Sequence, residues 1–401
     1  MKADIRTFQA GVRTEHRNRR GFRNGLRELY KTDSIKEDTM ARLRLMRAPL
    51  KYVQGKDSLL HFYEQLQDLG SKWLFICSHS GYKNCHDKIE KSFEGTDNVR
   101  HYEVFSGISS IGEIEKMRKI VREEGIDTVV GVGGGSAIDT AKATAYYEKI
   151  HDVSCPTVCA TDAPCTGLSV IYNDDHSFNS YLFYPKNPDA VIVDSAVIAN
   201  APTRFLIAGI GDALGTYFEG RACVRTDAPS LENGGITRSA MALCELCYKT
   251  LRDYSAAAIR ACENHVVTPA LDAIIEANTY LSGVGADNAG LAAAHSFYNG
   301  YTGLENHPAQ HGLCVAFGTL VQLQLEGAPR EEFDEVQNFC RETGLPVTLA
   351  ELGVTTDEQV RKITELACVE GESIHNMVAD VTAEQLYDAI LAADALGKEL
   401  Q

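Results

Sequence analysis

From Tyr52 to about Ala201, short apolar runs alternate with amphipathic ones: KWLFICS, then the charged NCHDKIEKSFEG, then RHYEVF, IGEIEKMRKIVREEG and DTVVGVGGG. Short apolar runs bounded by turn residues read as buried strands, and apolar positions three and four apart read as helices lying over them. This is β-α-β grammar. It predicts a parallel sheet covered by helices, with ligand sites at the carboxyl ends of the strands. Beyond Ala201 the β-branched runs fade. GIGDALGTYFEGRAC, SAMALCELCYKTLRDYSAAAIRACENH, PALDAIIEANTYLSGVG and the tail from Thr382 carry helical spacing instead. The expected organisation is an α/β domain over 46–201 and an all-α domain over 202–401.

Residues 1–45 do not fit that pattern. RTEHRNRRGFRNGLRELYK has no sustained apolar face, and the first 51 residues sum to +8 while the whole chain of 401 sums to −16. We expect a basic, poorly ordered extension there, and Met40 is a natural beginning for the compact protein. An acidic body repels phosphate, which argues against a nucleic-acid or anionic-membrane surface. No uncharged apolar stretch approaches the roughly 18–20 residues that span a bilayer. Twelve cysteines are scattered with no signal peptide before them, so they read as reduced thiols of a cytoplasmic protein. Cys244 and Cys247 form a CxxC without a second pair at zinc-finger spacing, and read as small apolar helix residues.

Three consecutive glycines, Gly133, Gly134 and Gly135, join the strand Thr128 to Val132 to a helix beginning near Ser136. Glycine permits positive φ and close approach of a ligand, and the positive end of the following helix attracts a diphosphate. The string matches neither GxGxxG nor GxxxxGK[ST], so a tight strand-to-helix turn is an equal reading of it. Asp139 either orients this loop or simply favours the first helical turn.

Asp212, His295 and His311 each lie in small, apolar surroundings. One carboxylate and two imidazoles suit zinc or ferrous iron and leave positions open for water and substrate. Their separation along the chain makes any such site tertiary, and each histidine is equally readable as a core residue. His307 competes with His311 for the same place. Thr216, four residues after Asp212, is no ligand of this kind, so three protein ligands are expected. Asp162, in the loop CPTVCATDAPCTGLSVIYND, could accept bonds from substrate hydroxyls or stabilise an Asx turn.

Taken together, GVGGGSAIDTAKA, TDAPCTGLSVIY, NAPTRFLIAGIGDALGTYFEGRAC, VVTPALDAIIEANTYLSGVG with GLAAAHSFYNG, and HGLCVAFGTLVQL resemble, in order, the glycerol dehydrogenase branch of the iron-containing (group III) alcohol dehydrogenase superfamily. The resemblance covers about Arg47 to the C-terminus. It implies a Rossmann-like α/β domain and an all-α domain in the dehydroquinate synthase-like architecture, with NAD, a polyol and a divalent metal, normally zinc with iron as the alternative, meeting between them. By that likeness Asp212, His295 and His311 hold the metal and Asp162 contacts substrate. Gly133, Gly134, Gly135 and Ser136 hold the pyrophosphate near Asp139, and Thr157, Thr166, Leu168 and Tyr172 line the cofactor path. Homo-oligomers are implied too. Ser78 stands where the family commonly has the aspartate that binds the adenine ribose, which leaves NADP open beside NAD. Ala286 stands where many relatives have an aromatic residue, which implies a wider substrate pocket. Two other readings stay open: a cyclase resembling dehydroquinate synthase, which needs more cationic groups, and a catalytically silent nucleotide-binding homologue.

Overall fold

The computed structural model describes residues 42–378 and 380–399. Eight strands occur in them: β1 (Lys51–Gly55), β2 (Lys72–Cys77), β3 (Val99–Val104), β4 (Thr128–Gly133), β5 (His151–Pro156), β6 (Leu168–Tyr172), β7 (Phe178–Phe183) and β8 (Ala190–Asp194). Six pair in one sheet, ordered β1-β8-β5-β4-β2-β3, and every pairing in it is parallel. Parallel strands need crossovers. Helices α1 (Phe62–Leu66), α2 (His79–Ser92), α3 (Ile111–Glu124), α4 (Gly135–Glu148) and α5 (Ser195–Ala199) supply the helical part of this lobe. Ser78 caps α2 and Ser110 caps α3, each accepting an N–H of the first turn, and Gly125 ends α3 at φ 64°. Phe62, Trp73, Phe75 and Phe93 are buried together on one face of the sheet, and truncating Phe75 to Ala would cost about 3–5 kcal/mol.

The sequence pattern missed β6 and β7. They pair as an antiparallel hairpin apart from the main sheet, and β6 occupies the end of the segment read as a loop. In β6 every second residue is buried, a two-residue period too short to stand out beside the Thr-, Ala- and Cys-rich stretch before it.

After β8 every described element is helical. After α5 come α6 (Thr203–Thr226), α7 (Arg238–Glu263), α8 (Pro269–Glu276), a π-helical turn at Ala277–Leu281, α9 (Ser282–Ala289), α10 (Ala293–Tyr301), α11 (His311–Glu326), α12 (Arg330–Thr343), α13 (Asp357–Ala367) and α14 (Ala383–Lys398), with short 3-10 turns at Ala350–Leu352 and Ser373–Asn376. Cys244 and Cys247 are buried on α7, as small core residues. All twelve cysteines are free thiols, eleven of them buried. Among the described residues no helix is long and apolar enough to cross a membrane.

The two lobes meet along Asp272–Asn288. Gln54 Nε2 donates to the Asp272 carbonyl at 2.8 Å, and Ser195 Oγ donates to its carboxylate. The hydroxyls of Tyr52 and Thr279 lie 2.9 Å apart. Gly167 N–H (2.8 Å) and Asn187 Nδ2 (2.6 Å) donate to one oxygen of Asp287, and Asn288 exchanges two bonds with the Arg47 backbone. The expectation of a disordered extension falls mostly outside the described residues. Within them, Arg44 bridges Gly235 and Leu45 N–H donates to the Gly235 carbonyl.

Candidate metal and substrate site

Asp212 lies within α6, His295 in the first turn of α10, and His311 is the first residue of α11. Glycines let these helices close on one another. A Cβ on Gly211 would lie 2.3 Å from the Gly312 carbonyl oxygen, and one on Gly312 would lie 1.8 Å from that of Ala208. Any side chain there would push α6 and α11 apart beside the two residues that must meet. His311 Nε2 lies 2.9 Å from Asp212 Oδ1 and His295 Nε2 lies 3.5 Å from the same oxygen. The three donor atoms fall within 4.8 Å of one another. Two ligands of a tetrahedral zinc, each about 2.0–2.1 Å from it, are separated by about 3.3 Å, so this spacing fits such an ion.

Charge agrees with the spacing. Burial alone would raise the Asp212 carboxyl, but the imidazoles, His311 first, outweigh it and hold it well below the usual carboxylate range. Burial would lower the His295 imidazole, yet Glu219 and then Asp212 raise it well above its ordinary value. An enclosed pocket that favours a carboxylate next to positive charge is what a cation requires.

Asp162 joins this group through its backbone. Its N–H donates to Asp212 Oδ2 at 3.2 Å, and its own Oδ2 accepts from Ser282 Oγ at 3.1 Å. The Ser282 hydroxyl is 2.9 Å from that of Thr216, which explains a threonine at that place on α6. Burial first and the negative charge of Asp212 second push the Asp162 carboxyl up to about 8. His307 is not part of the group: its ring faces Tyr301, 6.1 Å away between centroids. The ring of Tyr298 instead stands edge-on against His311 at 4.3 Å.

The glycine loop lies at the carboxyl end of β4, beside β2 and β5. None of its glycines has positive φ, so that expected reason for glycine is withdrawn. Gly133 is needed for closeness, because a Cβ would lie 2.7 Å from the Ala137 Cβ and 3.0 Å from Ser78 Oγ. At Gly134 and Gly135 a Cβ would meet nothing nearer than 3.5 Å and 3.9 Å. The protein's own packing does not demand glycine there, whereas a ligand lying on the N-terminus of α4 would. Ser136 sits in the first turn of α4, Ser78 lies against Gly133, and Thr157 N–H donates to the Gly133 carbonyl at 3.0 Å. Asp139 turns away from the loop: its carboxylate accepts from Val170 N–H at 3.2 Å and faces Lys142 Nζ at 3.3 Å. Lys142 Nζ also donates to the carbonyls of Ala163, Thr166 and Leu168, and so fixes the backbone of the segment that carries Asp162. Tyr172 ends β6 and donates its N–H to the Ser109 carbonyl.

A family model described as iron-containing alcohol dehydrogenase matches residues 49–195. A glycerol dehydrogenase of Pseudomonas putida is 45% identical over 358 residues, which cover 88% of this chain and 98% of that one. This chain belongs to the iron-containing alcohol dehydrogenase family. Another relative in the comparison, a glycolaldehyde reductase of Halobacterium salinarum, is 42% identical over 360 residues, covering 89% and 99% of the two chains. The crystal structure of a probable glycerol dehydrogenase from Sinorhizobium meliloti 1021 superposes with a TM-score of 0.84 at 38% identity, over 89% of this chain and 100% of its own. This alcohol dehydrogenase therefore has the sheet-plus-helices fold expected from its sequence.

Besides Ser282 and Tyr298, two further side chains of this site escaped the sequence reading. Glu219 is fully buried on α6 and bonds to His295, and Lys142 holds the Asp162 segment. Glu219 lies seven residues, close to two turns, beyond Asp212 and so on the same helical face, which is the signal that could have found it. Lys142 lay within the quoted glycine block, but nothing local shows an ammonium turned inward.

Proposed function

We propose that this alcohol dehydrogenase moves a hydride between a vicinal diol, glycerol or a related polyol, and a nicotinamide dinucleotide, giving the hydroxyketone. The observation that carries this reading is the convergence of Asp212, His295 and His311 beside Asp162 at the junction of the lobes. Those three side chains would hold a divalent metal; one oxygen and two nitrogens suit zinc, with ferrous iron the alternative. When bound, the metal supplies a Lewis acid for the substrate hydroxyl and the nicotinamide supplies the hydride acceptor.

The chain's own groups do the rest. Gly133, Gly134, Gly135 and Ser136 receive the pyrophosphate at the N-terminus of α4, with Thr157 alongside and Thr166, Leu168 and Tyr172 farther along the cofactor path. Asp162, steadied by Ser282 and by the Lys142-held backbone, orients a second hydroxyl, which favours diols over simple alcohols. Ser78 presents no carboxylate to a 2′-phosphate, so NADP is admissible beside NAD. Ala286, buried on α9, leaves a broad substrate pocket. The thiols suit a reducing cytoplasm, and we take the enzyme to be a homo-oligomer. Relatives named glycerol dehydrogenase at 45% identity support this reading over a cyclase or a silent homologue.

The test is NAD and NADP reduction over glycerol, 1,2-propanediol, 2,3-butanediol and a simple alcohol, before and after chelation, in the wild type and in Asp162→Ala. Chelation should abolish turnover and zinc or ferrous iron restore it. Asp162→Ala should raise KM for diols far more than for the mono-alcohol. Turnover untouched by chelation would remove the metal from the mechanism, and equal effects on both substrate classes would remove Asp162.

A further inference from the structure

Glu219 is an expensive residue to place where it is. It is wholly shielded from solvent in the interior of the helical lobe, and a buried carboxylate persists only when its oxygens are well satisfied. Both of its oxygens are engaged. Oε1 accepts two backbone N–H groups at the start of α10, from Ala292 at 2.8 Å and from His295 at 2.9 Å. Oε2 lies 2.5 Å from His295 Nδ1, while the other ring nitrogen, Nε2, points at Asp212. A neutral imidazole has one N–H and one lone pair, so whichever nitrogen carries the hydrogen leaves the other to bind a cation. A carboxylate can only accept.

We propose that Glu219 is a positioning residue for the metal: by taking the Nδ1–H of His295 while gripping the N-terminus of α10, it fixes the ring so that the Nε2 lone pair faces Asp212 and His311. This rests on the reading of those three residues as metal ligands. One carboxylate thereby sets both the tautomer of the ligand and the place of the helix that carries it. Groups that orient a ligand in this way commonly contribute 10- to 100-fold in metal affinity.

Glu219→Gln separates the two duties. Its amide oxygen can still accept from Ala292 and His295 N–H, but its NH2 now faces Nδ1 as a donor and drives the hydrogen to Nε2, closing that lone pair. The experiment measures zinc affinity of the full-length, metal-stripped chain by competition with a chromophoric chelator, with the cobalt(II) visible spectrum recorded alongside. Glu219→Gln should bind zinc roughly 10- to 100-fold more weakly than the wild type and give an altered cobalt spectrum, at an unchanged apoprotein melting temperature. Glu219→Asp, which restores an acceptor, should recover part of the affinity. Zinc binding by Glu219→Gln within two-fold of a wild type that binds zinc overturns the role of Glu219 alone. A wild type that takes up no zinc overturns the metal reading and this one with it. If Glu219→Gln does not fold, nitrogen-15 histidine spectra of the zinc-loaded wild type decide the matter, with His295 assigned by its loss in His295→Gln: an Nδ1–H tautomer supports the proposal and an Nε2–H tautomer overturns it.

Discussion

Asp287 shows how a single acid can be held against its own preference. Its side chain is 1% exposed, and burial pushes its carboxyl up from 3.8 to about 6 in spite of the bonds from Gly167 and Asn187. An acid that holds its proton more tightly when folded stabilises the fold below its unfolded value, and that contribution is lost as pH rises through about 6. The window is worth about 3 kcal/mol. Asparagine can keep both accepted bonds without titrating, so Asp287→Asn should gain up to that amount relative to the wild type between pH 4 and pH 7. Denaturant unfolding at the two pH values checks it, and a difference that stays constant across the window would count against the account.

At the scale of elements, the strand-to-helix junction at the glycine loop makes a sharper distinction than its three identical residues suggest. Gly133→Ala must displace Ala137 or Ser78, so it should lower the melting temperature. Gly134→Ala places its methyl 3.5 Å from Val158, at a φ of −83° that alanine adopts easily, so stability should hold while KM for the dinucleotide rises. Thermal melts alongside cofactor titrations test the pair; if both variants melt like the wild type and bind alike, the loop is only a turn. Much of this level was legible in the sequence. β2, β3 and β4 follow their apolar runs, and α2 and α3 follow their amphipathic ones, because parallel-sheet strands and the helices over them have strong and different periods, while α4, buried all round, was placed by the glycine junction before it. The β6–β7 hairpin escaped notice because its alternation is brief. Asp212, His295 and His311 could be singled out from their small, apolar surroundings, and their order matched a known family. For Glu219 the seven-residue spacing from Asp212 was the only sign, and its partner is revealed only once α10 has been packed against α6. Asp139 was assigned to the loop on nearness in sequence, whereas its helical position turns it toward β6.

At the scale of the whole molecule, the three proposed ligands come from three helices, so an ion held by them would tie α6, α10 and α11 together. The unfolded chain has no such site, and binding therefore adds directly to stability, by about 2.7 kcal/mol at a concentration 100 times Kd. Zinc should raise the melting temperature of the metal-stripped wild type and do so far less in Asp212→Asn. A zinc response that survives in the variant would show that the ion binds elsewhere.

Many of the bonds between the lobes lie on one short rod, the run from Asp272 to Asn288 with its π-helical turn in the middle. A body fastened along a line resists sliding and stretching, and the bonds away from that line, Asp162 to Asp212, Arg47 to Glu232 and Tyr181 to Asn299, resist swivelling about it. Any parting of the lobes must therefore break those outlying bonds as well as the ones along the rod.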